Sequence, residues 1–484
     1  MIDILLTTIN ARFRHTALGL RCLLANLDEL AQRTAIVEFD LEKTPAEMAE
    51  AILVRRPRIV GLGVYVWNAE PARKLVQILK RLQPEIILVL GGPEVSHETT
   101  GQPITELADH VVIGEGEVVF RQLCCRLLVG ERPIEHLVWA APPQLDTLQP
   151  AYPLYDARDV RERIVYVEAS RGCPFKCAFC LSSLDQGVRS FPLEPFLAEM
   201  EGLLLRGVRQ FKFVDRTFNL KMTTARAILD FFYAHLTPDL FLHFEMIPDR
   251  FPEALRESIR RFPAGSIQLE IGLQSFDAEV LARIDRPQDT ELAAKNLVWL
   301  RQETGVHLHT DLIVGLPGEG LQGFAAGFDR LVALDPHEIQ VGILKRLHGA
   351  PIQRHVEPFC MVFDPEPPYE LLSNKHLDFM TLRRLKRFAR YWDLIGNSGR
   401  FSLTRSCLLG EGSPFARFLA LSDWLYATTG QTHRIALPRL YDLVLRGLVD
   451  ALGVSPGKAE ATVNADRSQN NQGHKMSRQV RHQQ

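Results

Sequence analysis

Long apolar runs, regularly paired cysteines and an excess of either charge are all missing from this 484-residue sequence. The longest apolar stretches are strand-sized, short of the roughly 20 residues needed to cross a bilayer, which argues against a membrane-spanning helix. At the amino end, MIDILLTTINARFRHT has a short apolar run with its arginines after it. That is the reverse of a secretory leader, so a cytoplasmic protein with no membrane partner is expected. Eight cysteines are too few and too unevenly spaced for a disulfide framework. A formal net charge of -2 gives no electrostatic case for nucleic acid. No repeat of about 20 to 50 residues is present, which excludes a solenoid. The length exceeds what one core usually organises, so two or three domains are expected.

What is present is alternation. Residues 1–136 set β-branched apolar runs, IDILLTTI, TAIVEFDL, IVGLGVYVW, IILVLGG and HVVIGEGE, between amphipathic segments. Such runs read as buried strands and the segments as helices, so five strand-helix units predict a doubly wound, Rossmann-like parallel sheet. Thr44-Pro45-Ala46-Glu47 marks one helix start, with a cap, a proline at the first position and a capping-box glutamate. Ligands of open parallel sheets sit beyond the carboxyl ends of the strands. Those ends hold Thr8, Asn10, Tyr65, Gly91, Gly92 and Glu115. The Pro-rich, aperiodic stretch 137–160 reads as a linker. Over 161–348 six further apolar runs alternate with helical segments, which predicts an incomplete (β/α)6 TIM barrel with its chemistry at the strands' carboxyl ends. Residues 349–454 read as mostly helical, and 455–484, almost free of large apolar side chains, as a disordered tail.

SRGCPFKCAFCLSS, residues 170–183, sets Cys173, Cys177 and Cys180 in CxxxCxxC spacing at a strand end. Soft thiolates select zinc or iron-sulfur. A structural zinc needs a fourth ligand in a paired spacing, which does not accompany the triplet, and a redox dithiol leaves Cys173 unused. A 4Fe-4S cluster normally takes four thiolates, so three leave one iron open. CPFKCAFC resembles the signature of the radical S-adenosylmethionine (radical SAM) family, in which the methionine amine and carboxylate bind that iron. The resemblance implies a 4Fe-4S cluster on Cys173, Cys177 and Cys180 that cleaves S-adenosylmethionine to a 5′-deoxyadenosyl radical. Phe179 matches the family's apolar position against the adenine, and FKFVDRTFN, which contains Asp215, resembles the segment beside the methionine amine. FEMIPD, LEIGLQSFD and DLIVGLPGE, one per strand, are similar to the coproporphyrinogen-dehydrogenase-like and Elongator-like branch. By that likeness Glu245, Gln274, Arg286 and Asp311 contact S-adenosylmethionine. Arg286 takes its carboxylate, a partner that suits a guanidinium fork. His307 and His309 share a strand face and read as polar neighbours of the barrel wall, with a metal pair as the alternative. Cys22, Cys124, Cys125, Cys360 and Cys407 are scattered and read as small buried hydrophobes.

No GxGxxG follows the first strand, so a dinucleotide is poorly supported. Through LLTTINARFRHTALGLRCLLANL, VLGGPEVSHE and VVIGEGE the amino-terminal domain resembles the cobalamin-binding family instead. That resemblance implies cobalamin on Thr8, Asn10, Tyr65, Gly91, Gly92 and Glu115, facing the barrel. The family's DxHxxG motif, whose histidine coordinates cobalt from below, is absent, which implies a lower face without a protein ligand. His15 reads as a helix-start histidine, with a substitute ligand as the alternative. GNSGRF at 396–401 fits a C-terminal helical family of unknown function. The whole resemblance implies a cobalamin-dependent radical SAM enzyme that methylates an unactivated carbon of a small-molecule or peptide substrate. Its electrons would come from a reductant such as flavodoxin or ferredoxin. Rearrangement or ring contraction, a tRNA methylthiotransferase-like activity and a non-catalytic cofactor sensor are the alternatives.

Overall fold

The computed structural model describes residues 2–185 and 187–481, with side chains described through residue 470. Its first sheet contains β1 (Ile4–Asn10), β2 (Thr34–Asp40), β3 (Ile59–Gly63), β4 (Ile87–Gly91), β5 (His110–Ile113) and β6 (Leu137–Trp139). They run parallel in the order β2-β1-β3-β4-β5-β6. Alternate side chains of a strand point to opposite faces, and here both faces are covered. Leu5 and Ile9 join Met48, Ile52 and Leu75 in one core, while Ile4 and Leu6 join Leu20, Phe120 and Leu127 in the other. Thr44 caps the helix Pro45–Leu53, and Glu47 accepts the Thr44 backbone N–H at 2.8 Å. β6 corrects the five-strand expectation and the start of the linker, for Leu137 pairs with Val111 and Val138 with Val112. Three residues are too few for periodicity to register. The linker stretch also holds the short helix Ala157–Glu162, capped by Asp156.

The second sheet contains β7 (Val165–Val167), β10 (Gln210–Phe213), β11 (Phe241–Met246), β12 (Ile267–Gln274), β13 (His307–Val314) and β14 (Glu338–Ile343). A short antiparallel pair, β8 (Ser170–Arg171) and β9 (Arg189–Ser190), brackets the cysteine segment. The parallel order β14-β13-β12-β11-β10-β7 leaves β7 and β14 as unpaired edges of an open barrel. The amino-terminal domain docks at both edges. On the β7 side, His15 bridges Ile164 and Thr16 donates to the Ile164 carbonyl at 2.8 Å. Beyond β14, Glu98 pairs with Arg346 at 2.7 Å and Glu94 with His348 at 3.4 Å.

A buried ion quartet locks the docking. Glu38 pairs with Arg21 and Arg163, both at 2.7 Å, and Asp159 with Arg163 at 2.8 Å and with Arg21. Glu38→Ala leaves two buried guanidinium groups with one carboxylate between them. Losing one partner of a buried pair costs about 3–5 kcal/mol, and a fall of that size is expected in denaturant unfolding.

The C-terminal helices share the barrel's core, where Phe328 meets Phe388 and Trp392 edge-on at 5.0 and 4.9 Å. The disordered-tail expectation is corrected over its first part, because Pro456–Arg481 is helical with Ala459, Val463 and Asp466 buried. Asp466 accepts the backbone N–H groups of Leu403 and Thr404 at 3.0 and 2.8 Å. Small side chains four apart carry the packing, which a reading keyed to large apolar residues misses. Residues 482–484 of the expected tail lie outside the described residues. No described helix is long and apolar enough to cross a membrane.

Candidate functional site

β12 alternates strictly: Ile267, Leu269, Ile271 and Leu273 are buried toward the helices, while Gln268, Glu270, Gly272 and Gln274 face the opposite side, where Glu270, Gly272 and Gln274 line a cavity. That cavity, of about 230 Å³ at the strands' carboxyl ends, brings together Cys173, Cys177, Cys180, Phe179, Glu245, Gln274, Arg286 and Asp311. Arg286 donates to Cys177 Sγ at 3.5 Å, to Gln288 Oε1 at 3.1 Å and to the Gly272 carbonyl. Burial pushes the Cys177 thiol up, and the adjacent guanidinium pulls it back. Gln274 holds a left-handed backbone with φ 70°, a conformation that costs energy outside glycine and clusters at functional sites. A Cβ at Gly272 would lie 2.2 Å from Gln274 Nε2, so glycine there makes room for the folded-over amide. Gln274 Oε1 is buried without a hydrogen-bond partner. An orphaned buried acceptor beside three thiols, carboxylates and a guanidinium suits a polar, zwitterionic ligand that bridges them.

Asp215 is placed differently from the expectation. It does not line the cavity; its carboxylate accepts Ser170 Oγ at 2.5 Å and the Ala169 N–H at 3.0 Å, tying β10 to the chain just before the cysteines. Burial pushes this carboxyl up to about 6. His309 lies between Asp311 at 3.3 Å and Glu338 at 2.9 Å, and His307 reaches Glu338 at 3.0 Å. Burial disfavours the His309 cation, but the two carboxylates beside it outweigh this and raise it to about 10. Both histidines are thus satisfied by the barrel wall. None of the described residues forms a group of three or more His, Cys, Asp or Glu close enough to hold a single metal ion.

A second cavity, of about 780 Å³, lies between the first sheet's carboxyl edge and the barrel's inner face. Asn10, Tyr65, Gly91, Gly92 and Glu115 line it. Thr8 does not; its hydroxyl donates to the Gly63 carbonyl at 2.7 Å and ties β1 to β3. Gly92 has φ +105°, and a Cβ there would stand 2.5 Å from the Val64 carbonyl oxygen, so the chain is open here only because it carries no side chain. Tyr65 and Trp67 stack along the cavity at 4.5 Å and 9°. Glu115 is engaged by Arg171 at 2.7 Å and by Arg189, and Arg171 also pairs with Glu117 and Glu168. Arg171 stands two residues before Cys173, so these pairs join a loop of the first domain to the cysteine segment. The helix-start reading of His15 is corrected, since that helix begins at Leu18 and His15 Nδ1 lies 2.7 Å from the Tyr166 hydroxyl.

The two cavities share Ser182, Arg216 and Glu245. Arg216 pairs with Glu245 at 3.4 Å on this common wall. Sequence reading missed Arg216, Glu270, Lys212 and Arg171. Period-two spacing would have found Glu270, which precedes Gln274 by four on β12, whereas Arg216 lies in the turn beyond β10 and carries no such signal. Of the scattered cysteines, Cys22, Cys124 and Cys407 are buried and Cys125 partly so. Cys360 corrects the expectation by lying exposed in a turn.

Residues 4–124 match the family of B12 binding domains, and residues 167–330 match the radical SAM superfamily. The chain carries a B12 binding domain ahead of a radical SAM domain. Behind the radical SAM domain, residues 357–475 match a protein family of unknown function, DUF4080. The chain is 28% identical over 349 residues to the 2-(S-pantetheinyl)-carbapenam-3-carboxylate methyltransferase of Streptantibioticus cattleyicolor, covering 63% of this chain and 49% of that one. It is 27% identical over 350 residues to the cobalamin-dependent radical SAM methyltransferase TokK of Streptomyces tokunonensis, again covering 63% and 49%. The chain thus spans about half the length of these curated relatives. The solved structure of the radical S-adenosylmethionine methyltransferase TsrM from Kitasatospora setae superposes with a TM-score of 0.58 at 19% identity, over 72% of this chain and 75% of that one, a likeness of fold.

Within the radical SAM domain, Glu319 of the DLIVGLPGE segment is buried, and Ser275 Oγ donates to it at 2.5 Å. Burial pushes its carboxyl from 4.5 up to about 7. A carboxyl raised in the folded state stabilises fully below its unfolded value and loses that contribution as pH rises through the folded one. Relative to Glu319→Gln, the natural protein should therefore lose ~2–3 kcal/mol between pH 4.5 and pH 7, at about 1.4 kcal/mol per unit. Thermal melting of both proteins across that range checks it.

Proposed function

We propose that the protein is a cobalamin-dependent radical SAM enzyme that methylates an unactivated carbon. The observation that carries this reading is the wall common to the two cavities, Ser182, Arg216 and Glu245. When bound, a 4Fe-4S cluster supplies the electron that cleaves S-adenosylmethionine to a hydrogen-abstracting radical, and cobalamin supplies the methyl group. In this reading Cys173, Cys177 and Cys180 hold the cluster. Arg286 binds the methionine carboxylate, Glu245 and Gln274 take the amine side, and Phe179 with Asp311 orient the adenosine. Asn10, Tyr65, Gly91 and Gly92 cradle the corrin. Glu115 faces the same cavity and fixes the cysteine segment through Arg171, while Thr8 and Asp215 act behind the ligands, the first by fixing β1 and the second by holding the chain before the cysteines. A one-electron reductant such as flavodoxin or ferredoxin is the implied partner.

Anaerobic reconstitution with iron, sulfide and hydroxocobalamin, then reduction with S-adenosylmethionine, tests the reading. Formation of 5′-deoxyadenosine together with a corrin spectrum that survives gel filtration supports it, and absence of either contradicts it.

A further inference from the structure

Lys212 on β10, and Val214 and Arg216 in the chain just past its end, all line the second cavity. The carboxylates nearby already have partners: Glu270 with His243 at 2.9 Å, Glu168 with Arg171 at 2.6 Å, and Glu38 with Arg21 and Arg163. Lys212 is paired less closely: among the described residues its Nζ makes no hydrogen bond, and its ion-pair partner Glu270 is 3.7 Å away. A partly buried ammonium without a hydrogen-bonded counter-charge favours an incoming anion. The cavity lining as a whole carries Glu115, Glu117, Glu168, Asp185 and Glu245, but the charges that act most on His15 are cationic. Burial first, and then Lys212, Arg12, Arg14 and Arg163, hold the His15 imidazole below its ordinary value. His15 is therefore a neutral ring beside Tyr166, and both line the same cavity.

We propose that Lys212, with the Tyr166 hydroxyl and His15 beside it, forms an anion subsite on the barrel side of the second cavity, and that the substrate carries a carboxylate or phosphate seated there. The inference rests on the reading of this cavity as the place where corrin and radical meet. An anchored anion would hold the reacting carbon between the two cavities, next to Arg216 on their common wall.

The test is calorimetric titration of the reconstituted protein, loaded with cobalamin and saturated with S-adenosylmethionine so that Arg286 is occupied, with malonate, inorganic phosphate or neutral malonamide. One equivalent of malonate or phosphate should bind and malonamide should not, and the tighter anion tells a carboxylate substrate from a phosphorylated one. Lys212→Met should weaken that binding at least about tenfold, and Lys212→Arg should restore it, both variants keeping the natural far-ultraviolet dichroism. Equal binding of malonamide, an unchanged Lys212→Met, no binding of either anion, or binding only without cobalamin overturns the inference. Corrin retention and 5′-deoxyadenosine are scored separately, so failure of the proposed function is recognised apart from failure of the subsite.

Discussion

Cys177→Ala protein, reconstituted anaerobically and reduced with S-adenosylmethionine, should yield no detectable 5′-deoxyadenosine. Two thiolates cannot retain a cluster that needs three protein ligands even with one iron left open. The same change removes the sulfur to which Arg286 donates at 3.5 Å, so the guanidinium assigned to the methionine carboxylate loses one of its three anchors. Chromatography of the nucleoside product and iron analysis measure the two losses together. The first domain's own core is separate from this site, so corrin retention should persist in the variant.

Gly92→Ala should abolish corrin retention while leaving the iron content intact. At φ +105° any side chain is strained by about 1–3 kcal/mol. The added Cβ would also meet the Val64 carbonyl oxygen at 2.5 Å and the Val64 nitrogen at 3.1 Å. Both are backbone atoms, so relief must come from moving the loop that carries Tyr65 and Trp67 along the cavity. A loss of about tenfold or more in affinity is expected at roughly 1.4 kcal/mol per tenfold, read from the visible spectrum after gel filtration.

What the sequence made legible was whatever it encodes locally. The CxxxCxxC spacing, the capping box at Thr44 and the strand alternation all lie within a few residues, and all are found where expected. Roles set by distant partners were not legible. Asp215 reads as a ligand contact until Ser170, 45 residues earlier, is seen to hold it. Glu115 lines the second cavity, and its pairing with Arg171, 56 residues later, has no local signal. β6 was too short to announce itself, and the helix after Pro456 packs through alanine and valine, which composition alone scores as weak. The left-handed backbone at Gln274 has no sequence signal beyond the glycine two residues before it.

The central claim is that the cysteine site and the corrin site meet at one wall. Electron paramagnetic resonance tests it most directly, by power saturation of cob(II)alamin bound to the reconstituted protein with the cluster reduced. A fast-relaxing cluster close by should make the cob(II)alamin signal harder to saturate than in the Cys177→Ala protein. Identical saturation in the two proteins would contradict the shared wall as the place where the cofactors face each other.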